Sequence, residues 1–103
     1  MNFNDLNIFI NIYETGSLNQ SAVNLGYAQS NLTARLKNLE SEMCTRLFIR
    51  KYNGIVPTRS GDKLYYFAKE TLQNFEIMQK ELISQGKSIL ISELLLNYDL
   101  NQE

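Results

Sequence analysis

Apolar positions along this chain follow helical, alternating and heptad spacings in turn, and each change of spacing predicts a new element. Phe3, Leu6, Phe9, Ile10 and Tyr13 fall on one face of a helix over residues 3–14, and Gly16 ends it. Leu18, Ala22 and Leu25 then repeat at i, i+4 and i+7, with Ser17 and Gln20 placed as a capping box and Gly26 free to turn the chain. After a turn of about three residues, Leu32, Leu36, Leu39 and Met43 mark the buried stripe of another helix. The spacing next drops to that of strands. Leu47–Arg50 and Ile55–Val56 flank Lys51-Tyr52-Asn53-Gly54, and an Asn-Gly pair between β-prone runs predicts a hairpin.

Pro57 ends the second strand, Thr58 caps a long helix, and Asp62 sits in its first turn, where the helix dipole favours an anion. Within it Leu64, Ala68, Thr71, Phe75, Met78 and Leu82 alternate spacings of four and three, the heptad period of helices that pack along their length. No proline or glycine interrupts the helix between Asp62 and Gln85, and Gly86 is expected to close it. About 27 residues make a rod of roughly 40 Å, too long to bury its stripe on so small a domain, so a second copy of the helix is the expected partner; folding back onto the core is the alternative. In the 17 residues after Gly86, Ile89 and Ile91 alternate as in a strand, while Ile91, Leu94, Leu95 and Tyr98 fit one helix face equally well. The expected architecture is mainly α: three helices and a two-stranded β-hairpin over residues 1–58, a dimerisation helix over 59–86, and a short apolar tail over 87–103.

The pair of short helices around Gly26 has the form of a helix-turn-helix, and the face of its second helix opposite the leucines carries Ser30, Ala34 and Lys37, flanked by Gln29, Asn31, Thr33 and Arg35. Amides, hydroxyls and short side chains suit the floor of a DNA groove, whereas a solvated face more often carries Glu and Lys four residues apart. The hairpin places Arg50, Lys51 and Tyr52 near its tip, within reach of phosphates or a minor groove; a plain surface hairpin is the other reading.

Charge sharpens this picture. The whole chain of 103 residues has a net charge of −1, yet from Ala34 to Lys63 seven basic residues stand against three acidic ones. Such asymmetry focuses positive potential on one region. With no histidine and a single cysteine, Cys44, zinc ligation and a Cys-His nucleophile pair have no partner, and a buried structural thiol is the expected role of Cys44. Catalytic residues and a cofactor are not expected. The N-terminus lacks the basic start of a secretory signal, and no apolar run approaches the roughly 20 residues of a membrane span, which predicts a cytoplasmic protein.

The chain resembles the LysR-type transcriptional regulators, in their N-terminal winged helix-turn-helix domain and linker helix. The resemblance rests on Leu6, Phe9, Gly16-Ser17, Ala22, Leu25, Gln29, Leu32, Thr33, Leu36, Leu39-Glu40, Leu47-Phe48, Arg50, Thr58 and Gly61, and covers about residues 3–86. Ser21, Ala34 and Cys44 depart from the family's usual Ala, Arg and Gly; Cys44 would be strained if the backbone there takes a positive φ. The resemblance implies double-stranded DNA as partner, contacted by Ser17, Gln29, Ser30, Asn31, Thr33, Ala34, Arg35, Lys37, Arg50, Lys51 and Tyr52. It also implies a homodimer formed by antiparallel pairing of the linker helix. The family continues into an effector-sensing domain that 17 residues cannot build, so no small-molecule effector is expected. The expected function is a sequence-specific DNA-binding regulator on an interrupted inverted repeat, without chemistry of its own. The alternative is a dimerisation module that draws a full-length relative off DNA, for which the cations of the recognition helix and wing would have no use.

Overall fold

The computed structural model describes residues 1–101, and their side chains apart from Ser88, Ile89, Ile91 and residues 97–101. In chain order the elements are α1 (Phe3–Thr15), α2 (Leu18–Leu25), α3 (Gln29–Met43), β1 (Phe48–Lys51), β2 (Gly54–Pro57) and α4 (Arg59–Asn101). They form two units, Met1–Thr71 and the part of α4 from Leu72.

In the first unit Ile8, Phe9 and Ile12 of α1, Leu18 and Ala22 of α2, Leu32, Leu36 and Leu39 of α3, and Leu47, Phe48 and Ile55 of the hairpin make one apolar cluster. Each of the larger ones removes about 1.5–3 kcal/mol worth of apolar surface from water. The α1 stripe is displaced from the expected face. Ile8 and Ile12 are buried and Phe3 is exposed, because α1 meets α3 along Asp5, Ile8, Phe9 and Ile12, opposite Leu36 and Leu39. Leu6 and Phe9 are buried as expected.

Helix ends show how local chemistry was redistributed. Ser17 caps α2, its Oγ accepting from the Gln20 amide at 3.1 Å, but Gln20 does not answer back: its side chain donates to Asn24 at 2.8 Å. The Ser17 N–H already has the Thr15 hydroxyl at 3.3 Å. The reciprocal box forms instead at α1, between Asn2 and Asp5. Ser21, buried where an alanine would need no partner, shares a 2.7 Å hydrogen bond with Thr15 Oγ1, so its hydroxyl is satisfied.

Strands β1 and β2 pair antiparallel with Lys51 opposite Gly54, so the two loop residues are Tyr52 and Asn53, not Asn53-Gly54. Gly54 stands instead in β2 with φ 141°, where an added Cβ would lie 2.6 Å from the carbonyl oxygen of Gly16. That same oxygen accepts from Ile55 N at 3.2 Å, docking the hairpin on the corner between α1 and α2. Gly61 answers a similar need, since a Cβ there would overlap the Leu47 carbonyl at the root of β1. Thr58 caps α4 as expected, accepting from Gly61 N at 3.0 Å.

The first turns of α4 are bound to α1. Tyr13 donates to Asp62 at 2.7 Å, which, with burial, pushes its pKa up to about 12; its ring stacks on Tyr65 at 3.8 Å, and Lys69 reaches Glu14 at 3.9 Å. Two expectations for this helix are corrected. Gly86 does not end it: α4 runs on to Asn101, since a lone glycine costs only about 1 kcal/mol in a helix whose flanks continue it. Leu64 and Ala68, read as dimer contacts, are taken up within this chain, Leu64 against the core and Ala68 fully buried. Among the described residues no helix is long and apolar enough to cross a membrane.

Candidate nucleic-acid interface

α3 starts after a turn in which Gly26 takes a left-handed angle, and its N-cap, Ala28, provides no side-chain acceptor. The opening amides of α3 are therefore uncapped, at the end of the helix where the dipole attracts anions. Gln29, Ser30 and Asn31 are exposed there, followed on the outer face by Ala34 and Lys37. Thr33 is half-buried and its hydroxyl donates to the Gln29 carbonyl at 2.9 Å, which leaves its oxygen as an acceptor. Ala34 offers only a methyl group.

Two adjoining grooves join this face to the hairpin. One is lined by Ser17, Asn19, Gln29, Arg50, Lys51 and Tyr52; the other, between α3 and β1, by Thr33, Lys37, Glu40, Arg46 and Arg50. The structure thus brings seven of the expected residues to one surface: Ser17, Gln29, Thr33, Lys37, Arg50, Lys51 and Tyr52. Lys37, Arg50 and Lys51 are exposed, and among the described residues no carboxylate forms a salt bridge with them. Ser30, Asn31 and Ala34 stand on α3 outside the groove walls.

Arg35 is placed differently from expectation. Its guanidinium lies 3.6 Å from Asp5 and 5.4 Å above the Tyr27 ring, so it fastens α3 to α1 and to the turn before it. Its contacts in this structure are thus within the chain, with a carboxylate and an aromatic face. Asn19 and Arg46 were not among the expected residues. Asn19 follows Ser17 into the first turn of α2, and that position at a helix N-terminus was the available signal; nothing local marked Arg46. Cys44, expected to be buried, is exposed at the end of α3 with φ 54°, its N–H directed at the Glu40 and Ser41 carbonyls. Ending the helix there turns its side chain outward.

Residues 3–62 match the model of the bacterial regulatory helix-turn-helix proteins of the lysR family. The HTH-type transcriptional regulator CzcR of Bacillus anthracis is 38% identical over 80 residues, covering 78% of this chain and 28% of that protein. The chain therefore spans less than a third of the length of such curated relatives, which are transcriptional regulators and not enzymes. Among solved structures, the DNA-binding domain of BenM in complex with benA site 1 DNA shares 29% identity with a TM-score of 0.74, covering 86% of this chain and 99% of that one. The CbnR DNA-binding domain, also solved with DNA, has the same fold at a TM-score of 0.79 and 24% identity, covering 84% of this chain and 99% of the other.

Proposed function

The chain belongs to the lysR family of helix-turn-helix regulators, and from that premise we propose that it recognises an interrupted inverted-repeat operator as a homodimer, acting in the cytoplasm. The observation that carries this is the joint surface of α3 and the hairpin, where uncapped helix amides, Gln29 and Thr33 lie beside the unpaired cations Lys37, Arg50 and Lys51. In this reading Gln29, Ser30, Asn31 and Thr33 meet base edges in the major groove, and Ala34 packs against a thymine methyl or a sugar. Lys37, Arg50 and Lys51 neutralise phosphates, Tyr52 follows the wing into the flanking backbone, and Ser17 and Asn19 hold phosphate at the start of α2. The relatives solved on DNA support this use of the surface.

Dimerisation is assigned to the exposed or half-exposed stripe of α4, Thr71, Phe75, Met78 and Leu82. Leu64 and Ala68 are left out of it. The antagonist alternative gains no support from the surface, since a module that only pairs with a relative has no use for three exposed, unpaired cations beside the recognition helix. Operator selection from random duplexes, followed by titration of the winning site by fluorescence anisotropy, tests the proposal. A selected inverted repeat bound at least about a thousandfold more tightly than random DNA is expected; recovery of no common sequence overturns it.

A further inference from the structure

The hairpin carries Arg50 and Lys51 at its outer end, and at its root one side chain of α3 bonds directly to the backbone that enters β1. Glu40, in the last turns of α3 and with only 14% of its side chain exposed, directs Oε2 at the backbone amides of Leu47 (2.6 Å) and Phe48 (3.4 Å), with Arg46 Nε 3.7 Å away. Phe48 is the first residue of β1. The same corner is held from behind, where Thr58 donates its hydroxyl to the Arg46 carbonyl at 2.7 Å and its amide to the Leu47 carbonyl at 2.9 Å. A carboxylate accepting two amides is the stronger, charge-assisted form of such a clamp. It joins the recognition helix to the strand that ends, three residues later, at Lys51.

We propose that Glu40 is a positioning residue for DNA binding: it fixes the wing against α3 so that Arg50 and Lys51 reach phosphates in the same docked pose in which α3 meets the bases. This rests on the DNA-binding role given above. Although Glu40 lines the groove between α3 and β1, its carboxylate is committed to the Leu47 and Phe48 amides, and in this arrangement its effect passes through β1. Without it the hairpin keeps its ladder, its bond to Gly16 and the Thr58 bonds at its root, but β1 loses its direct link to α3, and the wing cations add less to the contacts made by α3.

A double-mutant cycle on the full chain separates this role from simple stabilisation. Lys51→Ala is expected to weaken operator binding about tenfold in the unaltered chain and less than about twofold in Glu40→Ala, because the misplaced cation has little left to lose. Gln29→Ala, on α3 itself, is expected to give the same fold-loss in both backgrounds. Circular dichroism at the binding temperature confirms that each variant is folded; if Glu40→Ala is not, Glu40→Leu, which keeps the volume without the acceptor, takes its place. Equal losses from Lys51→Ala in both backgrounds overturn the positioning role, as does a Gln29→Ala loss that shrinks in parallel with that of Lys51→Ala. Absence of salt-dependent DNA binding by the unaltered chain is a different result: it overturns the DNA-binding role itself, and this role with it.

Discussion

Leu64 and Ala68 stand on the same heptad stripe of α4 as Met78 and Leu82, yet the first two are withdrawn from solvent by their own chain while Met78 and Leu82 are 42% and 57% exposed. The contrast extends to the two units as wholes. Up to Thr71 the apolar stripes of three helices and a hairpin converge on one core. From Leu72 onward α4 presents Ile77, Met78, Leu82, Leu90, Leu94 and Leu95 to water. A hydrophobic period states that a face needs burial; it does not state whose surface supplies it. In the first unit the supply is visible, and in the second the exposed leucines are the surface that the proposed dimer would cover.

The largest expected effects break this contrast at its two ends. Leu32 is fully buried at the centre of the core, and Leu32→Ala should destabilise the first unit by about 2–5 kcal/mol in urea denaturation. Leu94→Ala, at 67% exposure, should change the stability of a dilute monomer by no more than about 0.5 kcal/mol. A comparable loss from both would mean that the second unit has an intramolecular core.

Next in size is the division along the heptad stripe. Ala68→Asp would bury a carboxylate without a partner and should unfold the first unit, whereas Met78→Asp should leave it folded and abolish dimerisation, since its carboxylate would have to be buried in the apolar seam of the pair. Sedimentation at micromolar concentration reads the difference directly. Loss of linkage between half-sites should weaken operator binding by on the order of 10²-fold. A dimer that survives Met78→Asp removes this stripe from the interface.

Within the DNA surface the comparison is between the wing and the helix. Lys51→Ala should weaken all duplexes alike and lower the slope of log K against log salt by about one. Gln29→Ala should instead relax discrimination at particular base pairs, by about 1–3 kcal/mol. Identical behaviour of the two variants would leave α3 without a base-reading role.

Much of this was legible in the residues, and the misses share a cause. Spacing located every helix and the hairpin, because each buried stripe repeats with the period of its own backbone. It could not locate what depends on a second element. Arg35 counts as a free cation in the chain, but in the fold Asp5 and Tyr27, on α1 and in the turn, engage it. Ile8 and Ile12 fall outside the face marked by Phe3, Leu6, Phe9, Ile10 and Tyr13, and it is α3 that covers them. Gly54 marked the hairpin correctly but for another reason, the approach of the Gly16 carbonyl. The continuation of α4 past Gly86 shows the opposite limit, since a local stop signal yields when both flanks favour helix.

The smallest expected effect concerns the end of α3, where two helix termini of this chain can be compared. α2 ends on Gly26 at φ 71°, ψ 30°, and α3 on Cys44 at φ 54°, ψ 34°, the same left-handed conformation with and without a side chain. For a residue with a Cβ that conformation costs roughly 1–2 kcal/mol. Glycine would remove the strain but return part of the gain through the greater freedom of the unfolded chain, about 0.5–1 kcal/mol. Cys44→Gly should therefore stabilise the first unit by about 0.5–1 kcal/mol, a rise of a few degrees in melting temperature. Cys44→Ala keeps the strain and removes only an exposed thiol, so its stability should stay close to that of the unaltered chain. Equal gains from the glycine and alanine variants would assign the effect to the thiol and not to the backbone angle.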